Sequence, residues 1–254
     1  MKEQEIPFLA HAAGEFFWWV NTHIPRVETK GLENVPEIKE HLKNGTAILY
    51  FNHSSLFDPG MILRTIHEHF GDLKKVGFFT SQRHLDETNG FFSKIKSRSM
   101  TTPSITRGFE LLPVVQDKDK NKYPDWEKIN TASVNRAIEI LTEVPGGILA
   151  MAPTGTRSET LIEAKPGAIA LLRKAKDKCI AVPVGVIGAR QHWPTPNHIY
   201  PIQARVVIGK KITYEEILAK SRAEKIPAMG ILMYELAEIL PPSYQGFYAR
   251  PTSS

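Results

Sequence analysis

Along this chain apolar positions repeat with two different periods, and the places where one gives way to the other mark out its elements. Residues 46–51 (Thr-Ala-Ile-Leu-Tyr-Phe) form a near-continuous apolar run, as expected of a strand buried on both faces. Shorter runs predict further strands at 27–30, 75–80, 110–115, 148–152, 180–186 and 205–208. Between them the spacing turns helical. Met61, Ile62, Leu63 and Ile66 carry an apolar face after Asp58-Pro59, where Asp suits an N-cap and Pro the first helical position. Val134, Ala137, Ile138 and Leu141 share a face within a helix at 129–143. Further helices are predicted at 6–23, 36–43, 167–176, from 214 onward and over 227–239, the last followed by a Pro-rich tail. Strands alternating with helices predict an α/β fold: a central, mainly parallel sheet flanked by helices, with an apolar helical segment at the N-terminus. No repeat, low-complexity tract or long linker divides the chain. Residues 26–254 therefore read as one domain and residues 1–25 as an N-terminal helix.

Composition narrows the partners more than the fold. The 254 residues are 42% apolar and 23% charged, enough for a sizeable core. A net charge of +5 suits anionic partners, but no basic motif interleaved with aromatics points to nucleic acid. Basic clusters fall at Lys94, Lys96 and Arg98, at Lys118, Lys120 and Lys122, and at Arg173, Lys174, Lys176 and Lys178; the last reads as a solvated face. The single cysteine, Cys179, excludes an internal disulfide. Beside the apolar run 180–184 it reads as a buried structural thiol. His67, His69 and His192 lack ligand-type spacing, so no metal is expected. Residues 7–20 are rich in Phe and Trp but shorter than the ~20 residues of a spanning helix, and Glu15 interrupts them. Two readings of this segment stand: a helix lying in a membrane interface, or one packed on the protein's own core.

Chemistry enters just past the strand at 46–51. Asn52, His53, Ser54 and Ser55 are polar, and Asp58 follows His53 in an H-x-x-x-x-D spacing. Open α/β sheets hold their sites at the carboxyl ends of strands. An imidazole there can take a proton from a hydroxyl, and a carboxylate on its other ring nitrogen would fix the tautomer and stabilise the imidazolium. On spacing alone, His53 as a turn residue and Asp58 as a helix cap serve equally well. Asn52 and Ser54 are read as shaping the turn.

Residues 51–59 (Phe-Asn-His-Ser-Ser-Leu-Phe-Asp-Pro) resemble the N-H-x-S-x-x-D block of the glycerol-3-phosphate and lysophosphatidate acyltransferase superfamily. Residues 30–36 (Lys-Gly-Leu-Glu-Asn-Val-Pro) resemble its G-x-E-N-x-P lead-in, and 153–158 (Pro-Thr-Gly-Thr-Arg-Ser) its P-E-G-T-R-S block. Residues 165–168 resemble its K-x-G-A helix start and 181–184 its V-P-V strand. These blocks run in the family's order from about residue 27 to about residue 190. Thr154 stands where the block carries glutamate, which brings 152–157 closer to the A-P-S-G-G-R of the soluble, plastid-type glycerol-3-phosphate acyltransferases. Residues 128–133 also resemble that branch, and Lys118 and Lys120 fall where it carries a basic phosphate-binding segment. Glu159 occupies the place of its second arginine.

The resemblance implies an O-acyltransferase of phospholipid biosynthesis. A fatty acyl group would pass from acyl-CoA or acyl carrier protein to a hydroxyl of glycerol 3-phosphate or lysophosphatidate, with His53 as general base and Asp58 orienting it. Arg157, with Lys118, Lys120 and more weakly Arg107, would bind the acceptor phosphate. Backbone N–H groups of the turn from Gly155 through Thr156 to Arg157 would hold the oxyanion, while Asn52, Ser54 and Thr154 shape the site. No bound cofactor is implied, since the acyl thioester is a co-substrate. The enzyme would sit on a membrane surface at its cytoplasmic face, peripheral or monotopic. The loss of the family glutamate at Thr154 motivates one alternative, the same fold acylating a non-phosphate lipid or glycolipid acceptor; another is a non-catalytic lipid-binding relative, against which the presence of both His53 and Asp58 argues.

Overall fold

The computed structural model describes residues 26–55, 57–71, 75–86, 101–104, 106–189 and 203–250, with positions 12, 15, 16, 19 and 97. Among these, eight strands form one sheet: β1 (Arg26–Lys30), β2 (Thr46–Phe51), β3 (Val76–Ser81), β4 (Glu110–Val114), β5 (Ile148–Met151), β6 (Cys179–Ile187), β7 (Gln203–Ile208) and β8 (Ile212–Thr213). Their order is β1-β7-β6-β2-β5-β3-β4, with β8 beside β6. From β6 through β4 every pairing is parallel. At the other edge β7 and β8 run antiparallel to β6, and β1 follows β7 in parallel. The expected mainly parallel α/β sheet is therefore present.

Strand β2 sits near the middle, and its six residues are all buried. Period-2 alternation divides them between two cores. Ala47, Leu49 and Phe51 join Ile38 and Leu42 of helix α1 (Val35–Leu42) and Met61, Ile62 and Ile66 of α2 (Asp58–His69). Ile48 and Tyr50 face the other side. There they meet α3 (Trp126–Glu143), α4 (Gly167–Ala175), α5 (Tyr214–Glu224) and α6 (Ala228–Glu238). This explains the unbroken apolar run: each face has its own cover of helices.

Pro183 lies inside β6, where a missing N–H would ordinarily break the ladder. A residue's N–H and C=O point to the same side of a strand, and Pro183 O accepts from the Gly209 N–H at 2.9 Å. The missing donor thus faces the turn between β7 and β8, not β2, whose register with β6 runs unbroken through Tyr50 and Pro183.

Most predicted elements fall within a few residues of those observed. Strand β8 and a 3-10 turn at Asp117–Lys122 were not expected. The Pro-rich tail is a correction: Pro242–Gln245 is a turn of helix and Gly246–Tyr248 a 3-10 turn, with Tyr248 buried. The predicted helix at 6–23 lies largely outside the described residues; positions 12, 15, 16 and 19 are helical. No described helix is long and apolar enough to cross a membrane.

Beyond Phe51 the backbone leaves β6, and the Asn52 side chain takes over. Its carboxamide accepts from the Val186 N–H at 2.7 Å and donates to Val186 O at 2.8 Å, continuing the ladder with an amide of its own. Asn52→Leu strands both backbone groups in a dry site, a cost of about 2–4 kcal/mol. Urea unfolding will report it as a lower midpoint at unchanged slope.

Candidate active site

The turn from β2 into α2 is built around one carboxylate oxygen. Asp58 Oδ2 accepts from the His53 ring at Nδ1 (2.9 Å), from the Ser54 N–H (2.6 Å) and from the Ser55 N–H (2.8 Å). Asp58 is wholly buried, whereas the His53 side chain keeps 23% of its surface exposed. The expected N-cap role is corrected here. Phe57 is the N-cap, and Asp58 is the first helical residue, folding its carboxylate back over the residues before it. The short polar pair Ser54-Ser55 permits this tight return, and Ser55 Oγ accepts from the Phe57 N–H at 3.2 Å. Because the carboxylate can only accept, Nδ1 carries the proton and Nε2 presents its lone pair. No described residue bonds Nε2. The Phe51 ring meets the imidazole edge-on, centroids 6.2 Å apart, and limits its rotation.

A second block closes on the first. After β5 the chain runs through residues 152–165 before entering α4. Gly155, at φ +66°, supplies the left-handed turn, and its N–H donates to Ala152 O at 3.0 Å. Thr154 Oγ1 donates to Thr156 O at 2.9 Å inside the same loop. The Ser158 N–H donates to His53 O at 2.8 Å, joining the two blocks directly, and the Lys165 N–H returns to Pro153 O at 3.0 Å. The segment after β4 is tied in as well: Gln116 Nε2 donates to Gly155 O and Lys165 Nζ lies 3.1 Å from Asp117.

Together these pieces border a cleft of about 1130 Å³ along the carboxyl edge of the sheet. His53, Ser54, Thr156, Arg157, Lys118 and Lys165 line its polar part. Its apolar lining comes from both sheet faces. Phe51, Leu63, Phe78, Phe109 and Leu111 belong to the α2 side, and Val134, Ile138 and Leu171 to the side of α3 and α4.

The predicted site residues fare differently. His53, Asp58, Ser54, Gly155, Thr156 and Arg157 are brought together, and no described residue pairs with the Arg157 guanidinium. Asn52 acts behind the site, as the clamp on β6. Thr154 is buried in its loop and does not line the cleft. Gly155 is corrected as an oxyanion donor, because its N–H is already engaged; the Thr156 and Arg157 N–H groups have no acceptor among the described residues. Lys118 lines the cleft, but Lys120 turns to Asp117 at 3.0 Å and lies 3.9 Å over the Trp126 ring. Arg107 is engaged at 3.0 Å by both carboxylate oxygens of Glu15. Sequence reasoning missed Gln116, which carries no motif, and passed over Lys165, although it opens the K-x-G-A block. His192 lies outside the described residues. Among the described residues no group of three or more His, Cys, Asp or Glu is placed to hold a metal ion.

The mainly parallel sheet thus carries at its carboxyl edge an oriented imidazole and a guanidinium that no described residue pairs, the place where open α/β sheets hold their sites. The acyltransferase family model matches residues 26–187, and the chain belongs to that family. No curated protein matches the chain. Among solved structures, the 1-acyl-sn-glycerophosphate acyltransferase PlsC from Thermotoga maritima matches at 18% identity, covering 85% of this chain and 78% of its own, with a TM-score of 0.44.

Cys179 takes no part in the cleft. It is buried, and burial pushes its thiol up to about 12. Native protein at about pH 8 is therefore inert to a disulfide reagent, and unfolding in guanidinium releases its one reactive thiol. Rapid labelling of the folded chain would contradict this placement.

Proposed function

We propose that this acyltransferase moves a fatty acyl group from an acyl thioester, carried by coenzyme A or acyl carrier protein, to a hydroxyl of glycerol 3-phosphate or lysophosphatidate in phospholipid synthesis. The observation that carries the reading is the His53–Asp58 pair opening into the same cleft as Arg157, whose guanidinium no described residue pairs. His53 Nε2 removes the proton from the acceptor hydroxyl as its oxygen attacks the thioester carbon. Asp58 stabilises the imidazolium and keeps Nε2 aimed. The N–H groups of Thr156 and Arg157 are the donors for the tetrahedral oxyanion. Its collapse forms the ester and expels the thiolate, which recovers the proton from the imidazolium. No covalent intermediate on the enzyme and no bound cofactor enter this sequence. Arg157 holds the acceptor phosphate through paired N–H groups, with Lys118 adding a point charge. The acyl chain lies along the apolar lining beside α2.

The membrane surface enters through the N-terminal segment. Phe16 and Trp19 are 64% and 51% exposed, while Glu15 is turned onto Arg107 and Thr106. Aromatics outward and the charge inward suits a headgroup interface, with the enzyme bound peripherally at the cytoplasmic face, where its thioester donors are made. A second reading, an uncharged or amine-bearing acceptor, has its own observation: the cleft lining carries Glu159 where the plastid-type branch has its second arginine.

Thiol release from acyl-CoA and from acyl carrier protein, with glycerol 3-phosphate, lysophosphatidate and non-phosphate lipids compared as acceptors, separates these readings. His53→Ala lowers the rate by roughly a hundredfold or more. Unchanged turnover in that variant rejects the assignment. Arg157→Ala raises KM for phosphorylated acceptors by roughly tenfold or more and leaves the donor KM in place. Equal use of phosphorylated and non-phosphorylated acceptors by the unmodified enzyme would instead favour the second reading.

A further inference from the structure

We propose that residues 241–250 form a positioning strap for the acceptor site, with Tyr244 and Tyr248 acting as positioning residues through the loop that carries Arg157. The proposal rests on the reading of Arg157 given above. It concerns a segment beyond the residues matched by the family model, which end at 187.

Three hydrogen bonds tie the strap to the loop. The Leu161 N–H donates to Tyr244 O at 2.8 Å, the Phe247 N–H donates to Leu161 O at 2.8 Å, and the Ala164 N–H donates to the Tyr248 hydroxyl at 3.1 Å. Leu161 is thus gripped through both its backbone groups, with its side chain buried. Gly246 makes the close approach possible. Its φ is +49°, and a Cβ there would run into Leu161 O and the Thr160 side chain.

The strap is itself anchored to rigid elements. Gln245 Nε2 donates to Ala237 O and Leu240 O, both at 3.0 Å, at the end of α6. The Gly188 N–H, just past β6, donates to the Tyr244 hydroxyl at 3.0 Å. The Tyr248 ring packs edge-on against Tyr234 of α6, centroids 5.5 Å apart. Arg250 lies over that same Tyr234 ring and reaches Glu224 and Glu238 at 3.6 and 3.5 Å.

The loop is therefore held from two sides. His53 O takes the Ser158 N–H on the catalytic flank, and the strap takes Leu161 and Ala164 on the other. Arg157 directly precedes Ser158, the first of these tethers. A guanidinium held in advance loses little freedom when it meets a phosphate, whereas a freed one must be ordered on binding. The strap accordingly acts on acceptor affinity and leaves the His53–Asp58 pair, which has its own supports, untouched.

The test uses the full chain with Tyr248→Phe and the double change Tyr244→Phe, Tyr248→Phe. Both keep the ring volumes and remove only hydroxyls. The expected result is a rise in acceptor KM of roughly five- to twentyfold. Donor KM should stay within about twofold. Amide exchange should quicken at Leu161 and Ala164. Gly246→Ala, which drives the strap off the loop, should show the same pattern more strongly. Unchanged acceptor KM with unchanged exchange overturns the proposal, and so does a rise in donor KM equal to that in acceptor KM. If the unmodified enzyme releases no thiol with either phosphorylated acceptor, the acyl-transfer reading fails on its own. The exchange measurement still decides whether the strap holds the loop.

Discussion

Asp58 Oδ2 is the point on which the site depends. Removing a carboxylate from water is unfavourable unless other donors replace the water, and here three do so. Two are backbone N–H groups whose positions follow from the turn itself, so the imidazole has a single place left to take. The first turn of α2 adds a favourable field for a negative charge at its N-terminus. His53 is thereby located by the sheet through Asn52 and Val186, by the turn through Ser54 and Ser55, and by the helix through Asp58. Removing any one support leaves a buried polar group without its partner, which makes the geometry collective rather than a property of one hydrogen bond.

The same logic governs what was legible from the sequence. β2 was readable end to end because burial on both faces removes every reason for a polar residue within it. The H-x-x-x-x-D pair was readable because a strand end, a tight polar turn and a helix start leave few ways to place those residues. Asp58 was misread as a cap because the composition of a helix start does not say whether a carboxylate turns forward to the helix or back over the turn. Gly155 was overextended for a similar reason. Its left-handed conformation was implicit in the glycine, but the engagement of its N–H with Ala152 depends on where β5 stops.

What stayed hidden shares one cause: partners far apart in the chain. Lys118 and Lys120 are two residues apart and look equivalent, yet one meets the cleft and the other is drawn to Trp126 and Asp117. The C-terminal segment has neither apolar period nor charge pattern, so it read as a tail. Its order comes from Leu161, Ala164 and Gly188, between 56 and 84 positions away for the two tyrosine hydroxyl contacts. A glycine at 246 followed by Phe-Tyr carried a signal of close packing, but only the loop it packs against gives that signal meaning.

The departure at Thr154 takes on a different weight once its side chain is placed. It closes on Thr156 O inside its own loop and is absent from the cleft lining, so the threonine alters how the loop is braced and not the charge an acceptor meets. A glutamate there would need a cation in that same tight space. Glu159 is the departure that reaches the cleft. It stands two residues from Arg157, on the stretch held between His53 and the strap.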